Sequence, residues 1–191
     1  MSEMAIFRQL RSLRYHVGVL ERLFRRNDPE PTGISILLLQ KRLNRFSTEE
    51  LNLAMRRAWR RAYDPEKFFA SSIFDGDGAV LKVGTFYVTM RHFDRRLEAE
   101  QLGDLELPNW AVHSGYSSVE YKCPSGVPEG EQRDFMYGFL ALLCAELLTE
   151  NSSGIFFLEE RVTIPNDSQF RERLRSGQPL NPHILATEIN R

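Results

Sequence analysis

The stretch that decides the fold is Ile34-Ser-Ile-Leu-Leu-Leu39. It has the length of a β-strand and is apolar at almost every position. Since alternate side chains of a strand point to opposite faces of a sheet, such a run is typical of a strand buried on both faces. The sequence therefore predicts a central strand here.

A helix is predicted to follow this strand. Ser47-Thr-Glu-Glu50 is a capping box, in which the Ser47 hydroxyl accepts a backbone N–H and the Glu50 carboxylate reaches back. The predicted inner face consists of Leu51, Met55, Ala58 and Ala62. The predicted outer face carries Arg56, Arg57, Arg60 and Arg61. We expect the helix to end near Tyr63, ahead of Pro65.

The rest of the chain alternates short strands with helices. Aromatic and β-branched runs predict strands at residues 68–74, 79–83, 86–90, 110–123 and 154–158. A buried apolar helix is predicted around Phe135, Phe139 and Leu147, and a surface helix at residues 167–175. Gly115 is expected to mark a bulge or a point of close packing. This order predicts an α+β fold, a mixed or largely antiparallel sheet with two main helices on one face, broadly in the split βαβ manner.

An amphipathic stretch rich in arginine precedes this domain. Its apolar stripe consists of Ile6, Leu10, Leu13, Val17, Leu20 and Phe24. The spacing predicts a helix that docks by this stripe, and the segment from Pro29 to Gly33 predicts a hinge after it. We therefore divide the chain into a docking helix with a proline-containing hinge at residues 1–32 and a single α+β domain with a C-terminal tail at residues 33–191.

Composition places the chain among globular proteins. Its 191 residues are 42% hydrophobic and 27% charged, which is unlike a disordered chain. Cys123 and Cys144 are too few for a disulfide framework, and the chain does not open with a signal-peptide pattern, so we expect a cytoplasmic protein. The longest apolar run, residues 135–148, is shorter than the roughly 18 residues of a spanning helix, so we expect no membrane span.

The formal net charge of −1 hides an uneven distribution. Residues 1–26 carry a net charge of +4, residues 41–67 carry +4 and residues 94–134 carry −5. Such segregation creates basic and acidic surfaces that steer a partner or complement each other in a self-associated form. The alternative is that both are solvated faces without a partner.

Two stretches carry a resemblance to a known family. Ser35-Ile-Leu-Leu-Leu39 stands before the capped helix, and Leu147-Leu-Thr-Glu-Asn-Ser-Ser-Gly-Ile-Phe-Phe157 follows the buried helix. In this pairing, residues 33–177 resemble a bacterial family of uncharacterised single α+β domains. The resemblance implies a bacterial α+β fold, and because it rests on scaffold residues it implies no activity.

Metal sites are disfavoured by the sequence. Asp75 and Asp77 precede a glycine as in a calcium loop, but Ala79 and Phe86 stand where oxygen ligands are needed, which favours a plain turn. Strand pairing could bring His92 and His113 together to bind a metal, yet neither belongs to a closely spaced ligand set. We predict no metal and no cofactor.

A cysteine nucleophile is the strongest enzyme-like pattern. His113 and Cys123 are an even number of residues apart on one predicted strand, so both side chains point to one side. Ten residues of regular strand nevertheless span about 33 Å, far beyond hydrogen-bond reach. Cys144 lies on the buried helix and is expected to be a core residue. We therefore assign no catalytic residue and lean away from an enzyme.

The leading hypothesis is a non-enzymatic bacterial interaction factor of an accessory, assembly or immunity type. It would engage a protein partner or a second copy through the N-terminal stripe and through Arg56, Arg57, Arg60 and Arg61. The alternatives are a cysteine- or carboxylate-dependent enzyme and a nucleic-acid-associated protein that neutralises phosphates with its arginine-rich helices. The sequence pI of about 6.4 and the lack of a base-reading module argue against the last of these.

The N-terminal stripe is tested by replacing Leu13 and Leu20 with Glu. If the stripe drives association, oligomer size or partner capture falls while the melting temperature of the domain is unchanged. If the stripe is part of the core of this chain, the melting temperature itself falls. Wild-type association together with a wild-type melt would contradict both interpretations.

Overall fold

The structure, a computed structural model, describes residues 33–73, 77–97, 102, 105–122 and 128–189. The predicted docking helix at residues 1–32 lies outside these residues. The described strands are β1 (Gly33–Gln40), β2 (Phe68–Ile73), β3 (Gly78–Val83), β4 (Phe86–Phe93), β5 (Gly115–Lys122), β6 (Ser152–Phe157) and β7 (Val162–Pro165). The helices of the described part are α1 (Thr48–Trp59), α2 (Gly130–Leu147), α3 (Ser168–Arg175) and α4 (Pro182–Ile189).

All seven strands form one sheet in the order β2-β3-β4-β5-β1-β6-β7. Each neighbouring pair is antiparallel. Because β5 and β6 both run antiparallel to β1, they are parallel to each other. Helix α2 connects β5 to β6 and crosses over β1, which lies between them. This is a split βαβ unit. The predicted α+β fold is confirmed, and the sheet is antiparallel throughout.

Every residue of β1 is buried. Ile34, Ile36 and Leu38 face the core shared with α1 and α2. Leu37 and Leu39 face the opposite side, where a second apolar cluster contains Tyr116, Phe156, Leu97 and Ala111. The predicted central strand is confirmed, because helices cover one of its faces and the segment between β4 and β5 contributes to the cover of the other.

The start of α1 has the predicted capping box. The Glu50 backbone N–H donates to the Ser47 hydroxyl at 3.2 Å, and the Ser47 N–H donates to the Glu50 carboxylate at 2.8 Å. The helix ends at Trp59 rather than near Tyr63, because Arg60 adopts a left-handed conformation with φ of 51°. Ala62, predicted to lie on the inner face, is consequently exposed.

The long helix α2 is buried over most of its length, but one predicted core residue is not. Phe135 is 54% exposed, because Met136 and Leu140 occupy the inward positions of the first turns. Phe139 is partly buried and stacks on Trp59 of α1, with 5.0 Å between ring centroids. Gly138 is required by close packing, since a Cβ there would lie 2.3 Å from the Gln178 carbonyl oxygen.

The predicted strand at residues 110–123 begins only at Gly115. The preceding residues instead contribute to the apolar cluster on the second face of the sheet, where Ala111 is buried. Gly115 is a close-packing point, as predicted, because a Cβ there would lie 2.8 Å from the Phe93 carbonyl oxygen. Neither β7 nor α4 was predicted.

Both edges of the sheet are protected against strand addition. At the β2 edge, the Ala70 N–H donates to the Asn52 side chain at 2.9 Å, and the Phe68 N–H donates to the Asp64 carbonyl at 2.8 Å. At the other edge, β7 is only four residues long and ends in Pro165, which has no N–H to offer. Association through the edges of this sheet is therefore disfavoured.

The fold is tested by Leu38→Ala, with Leu53→Ala as the matched control. Leu38 is fully buried between the sheet and the helices, so its truncation should lower the free energy of unfolding by about 2–5 kcal/mol. Leu53 is 43% exposed on α1, and its truncation should change stability by no more than about 0.5 kcal/mol. Urea unfolding of both variants measures these free energies. Equal losses of stability in the two variants would contradict the burial of Leu38 and the exposure of Leu53.

Candidate functional site

The outer side of α1 carries a basic surface. Leu53, Arg56 and Arg57 are three or four residues apart and lie on one side of the helix. Arg60 is the C-cap residue, Arg61 follows it, and all five residues are exposed. We call these five residues the arginine face. Its four arginines are exposed as predicted, but Arg60 and Arg61 lie beyond the last residue of the helix rather than on it.

The arginines of this face are not neutralised by the part of the chain that the structure describes. None of the four forms an ion pair with another described residue. The four arginines lie within six residues of sequence, so their like charges repel one another. The helix C-terminus offsets part of this repulsion, because its partial negative charge favours cations in the last turn.

Apolar side chains also reach the surface on α1 and on α2. Leu53 lies within the arginine face and is 43% exposed. Trp59 at the end of α1 stacks on Phe139 of α2, and the exposed Phe135 lies one turn before Phe139. An exposed apolar side chain beside arginines, as Leu53 is, is typical of the centre of a protein–protein interface.

A second group of polar residues is buried at one end of the sheet. The Gln40 side-chain amide donates to the Ser117 hydroxyl at 3.0 Å, and this hydroxyl lies 2.8 Å from His92 Nδ1. Gln40, Ser117 and His92 are at most 7% exposed. We call them the buried polar cluster. Sequence reasoning missed it, because its members lie on three different strands.

The buried polar cluster contains a serine next to an imidazole, but it does not form an accessible nucleophile. Ser117 is completely buried, so a substrate cannot reach its hydroxyl. Burial lowers the pKa of His92 below its ordinary value of 6.5, and the nearby Arg45 guanidinium lowers it further, whereas Asp77 opposes this. His92 therefore acts as a neutral acceptor for hydrogen bonds at neutral pH.

The structure does not bring the two candidate metal-binding histidines together. His113 Nδ1 donates to the Ala111 carbonyl at 2.9 Å, and Nε2 accepts the Leu97 N–H at 3.1 Å, so both ring nitrogens are engaged. His113 also precedes β5, rather than lying on it as predicted. Among the described residues, no group of three His, Cys, Asp or Glu side chains has a metal-binding arrangement.

Two of the other candidate residues, Cys123 and Asp75, lie outside the described residues. Asp77 forms an exposed ion pair with Arg45 at 3.2 Å. Cys144 is fully buried on α2, and burial raises the pKa of its thiol well above the ordinary value, so the thiol stays protonated and packs as a core residue.

A partly buried carboxylate, that of Glu159, lies at the turn between β6 and β7. Glu159 Oε2 accepts the Ser35 backbone N–H at 2.9 Å and the Tyr137 hydroxyl at 3.0 Å. Burial raises the pKa of Glu159 above its ordinary value of 4.5, and the two hydrogen bonds oppose this. Burial and the adjacent Glu159 raise the pKa of Tyr137. This carboxylate caps the start of β1, where β6 has ended.

Comparison with known proteins adds no relative to this description: no family model, no curated protein and no solved structure matches the chain. The resemblance drawn from the scaffold residues therefore stays an expectation. None of the described helices has the length and hydropathy needed to span a bilayer.

The role of Glu159 is tested by the pH dependence of Glu159→Gln. A raised pKa in the folded state means that the carboxyl stabilises the fold below pH 4.5 and that this contribution is lost as the pH rises through the folded pKa. The stability of the variant relative to the wild type should therefore improve between pH 4 and pH 8. Urea unfolding at several pH values measures this difference, and a constant or falling difference would contradict the burial of a charge at this turn.

Proposed function

We propose that the protein is a non-enzymatic interaction factor that binds an acidic surface of a protein partner through the arginine face. The observation that carries the proposal is the set of four exposed arginines that lack an ion pair with any other described residue. A partner that supplies carboxylates would relieve the repulsion between these arginines and form charge-assisted hydrogen bonds.

The position of Leu53 favours a protein partner over a nucleic acid. A phosphate backbone offers no apolar surface for this side chain, whereas a protein interface has an apolar centre that Leu53 would enter. The net charge of the whole chain is −1, which does not favour general attraction to nucleic acid. The N-terminal stripe from Ile6 to Phe24 is a second proposed contact with a protein or with another copy of the chain.

An enzymatic function has less support. The Cys144 thiol is buried, both nitrogens of His113 are engaged, and the Ser117 hydroxyl is inaccessible. We therefore propose that the exposed surface of α1, rather than any of these three side chains, carries the function.

The proposal is tested by charge reversal at Arg56 and Arg60. The double variant Arg56→Glu, Arg60→Glu should reduce the recovery of the protein partner in affinity purification from the native cell by about tenfold, since 1.4 kcal/mol of lost binding already has this effect. The matched control is Arg42→Glu, Arg96→Glu, which changes the net charge equally at exposed positions outside the arginine face. This control should retain the partner.

Two outcomes would contradict the proposal. Equal losses in both double variants would mean that only the net charge matters. Recovery of nucleic acid in place of protein, abolished by nuclease treatment, would support the nucleic-acid alternative. Circular dichroism of the purified variants verifies that both remain folded.

A further inference from the structure

The hydrogen bonds of the buried polar cluster run in one direction. The Asn44 backbone N–H can only donate, so it fixes Gln40 Oε1 as the acceptor. This orients Gln40 Nε2 toward the Ser117 hydroxyl, which accepts at 3.0 Å. Among the described residues, the Ser117 hydroxyl has no acceptor other than His92 Nδ1, which lies 2.8 Å away, so we assign the hydroxyl proton to this bond and the ring proton of the neutral imidazole to Nε2. This series of hydrogen bonds therefore connects the loop before α1 to a neutral His92, with each donor fixed by the bond before it.

Protonation of His92 is incompatible with this direction. A proton on Nδ1 turns the acceptor into a donor, so the Ser117 hydroxyl must find another acceptor. Ser117 is fully buried and has no access to water, but rotation of the Gln40 amide would offer it Oε1. The same rotation places the Gln40 NH₂ group against the Asn44 N–H, where two donors face each other. Asn44 is only partly buried, so its N–H can turn to water instead.

The loop between β1 and α1 is anchored so that only its middle can respond. At its start, the Arg42 N–H donates to the Asn151 side chain at 3.1 Å, and the Ser114 hydroxyl donates to the Lys41 carbonyl at 2.8 Å. At its end, the capping box of Ser47 holds the first turn of α1. Residues 43–46 lie between these anchors.

Charged groups from two elements act on His92. Arg45 belongs to the responding loop, Asp77 precedes β3, and the two form an exposed ion pair at 3.2 Å. The neighbouring strand β5 presents the neutral Ser117, and β1, the next strand beyond it, presents the neutral Gln40. The Phe46 ring packs against the imidazole, with 5.9 Å between centroids. Because burial and Arg45 lower the pKa of His92, its protonation in the folded protein occurs below pH 6.5.

We propose that residues 43–46 form a proton-sensitive joint, in which protonation of His92 reverses the hydrogen bonds of the buried polar cluster and releases the Asn44 N–H. The entry to α1 loosens while the sheet stays folded. This inference does not depend on the proposed partner, because the response is internal to the chain.

The test is amide hydrogen exchange of the full-length protein by NMR between pH 7.5 and pH 4.5, corrected for the intrinsic pH dependence of exchange. In the wild type, protection of the Asn44 amide should fall by about tenfold as the His92 ring titrates, as for release of a locally protected amide. The Arg42 amide, held by Asn151, should keep its protection. Circular dichroism of the same samples reports global folding.

Two variants separate the joint from other titrating groups. His92→Asn keeps an acceptor near the position of Nδ1 but does not titrate, so Asn44 protection should be independent of pH. Ser117→Ala removes the hydroxyl that bonds both Gln40 and His92, so His92 should titrate without a matching change in the protection of the Asn44 amide.

The proposal is wrong if Asn44 keeps its protection while His92 titrates, or if Asn44 responds equally in His92→Asn. It is also wrong if Arg42 responds together with Asn44, or if the wild type unfolds globally before His92 titrates, because the response would then not be local.

Discussion

The double burial of β1 is the constraint on which the rest of the structure depends. Its even-numbered apolar residues need a cover of helices, and Leu37 and Leu39 need a second cover on the other side of the sheet. A strand that loses water on both faces stabilises the fold through apolar burial, but only when both layers are complete. The connection α2 between β5 and β6 and the segment between β4 and β5 meet these two requirements.

This constraint also separates the two sides of α1. Leu51 and Met55 are fixed in the core, so the helix cannot rotate, and the arginine face must point away from the sheet. The start of α1 is fixed by the Ser47 capping box and by the loop that joins it to β1. The buried polar cluster touches this same loop through Asn44, which connects the chemistry of the interior to the element that carries the exposed charge.

The features that the sequence predicts correctly have local signals. The apolar run of β1 and the Ser47 capping box lie within a few residues, and the periodicity of α1 places its arginines outside. The early end of α1 was missed because a left-handed Arg60 has no strong sequence signature. The sequence wrongly predicts residues 110–114 as part of β5, because apolar residues that cover the face of a sheet have the same sequence pattern as strand residues.

The buried polar cluster shows why the rest was beyond sequence reasoning. Gln40 and Ser117 are 77 residues apart, and Ser117 and His92 are 25 residues apart. They meet only because the register of β1, β4 and β5 aligns them, and register is a property of the whole sheet. The exposure of Phe135 likewise depends on tertiary packing, because the elements that pack against α2 contact Met136 and Leu140 instead.

The central proposal is that this domain binds a protein partner through the outer side of α1. Site-specific photo-crosslinking in the native cell tests it most directly, with a benzophenone side chain placed at Leu53 or at Val112. Both positions are exposed, at 43% and 61%, but Val112 belongs to the segment before β5. We expect a discrete protein adduct from position 53 and none from position 112. No adduct from position 53, equal adducts from both positions, or an adduct with nucleic acid would contradict it.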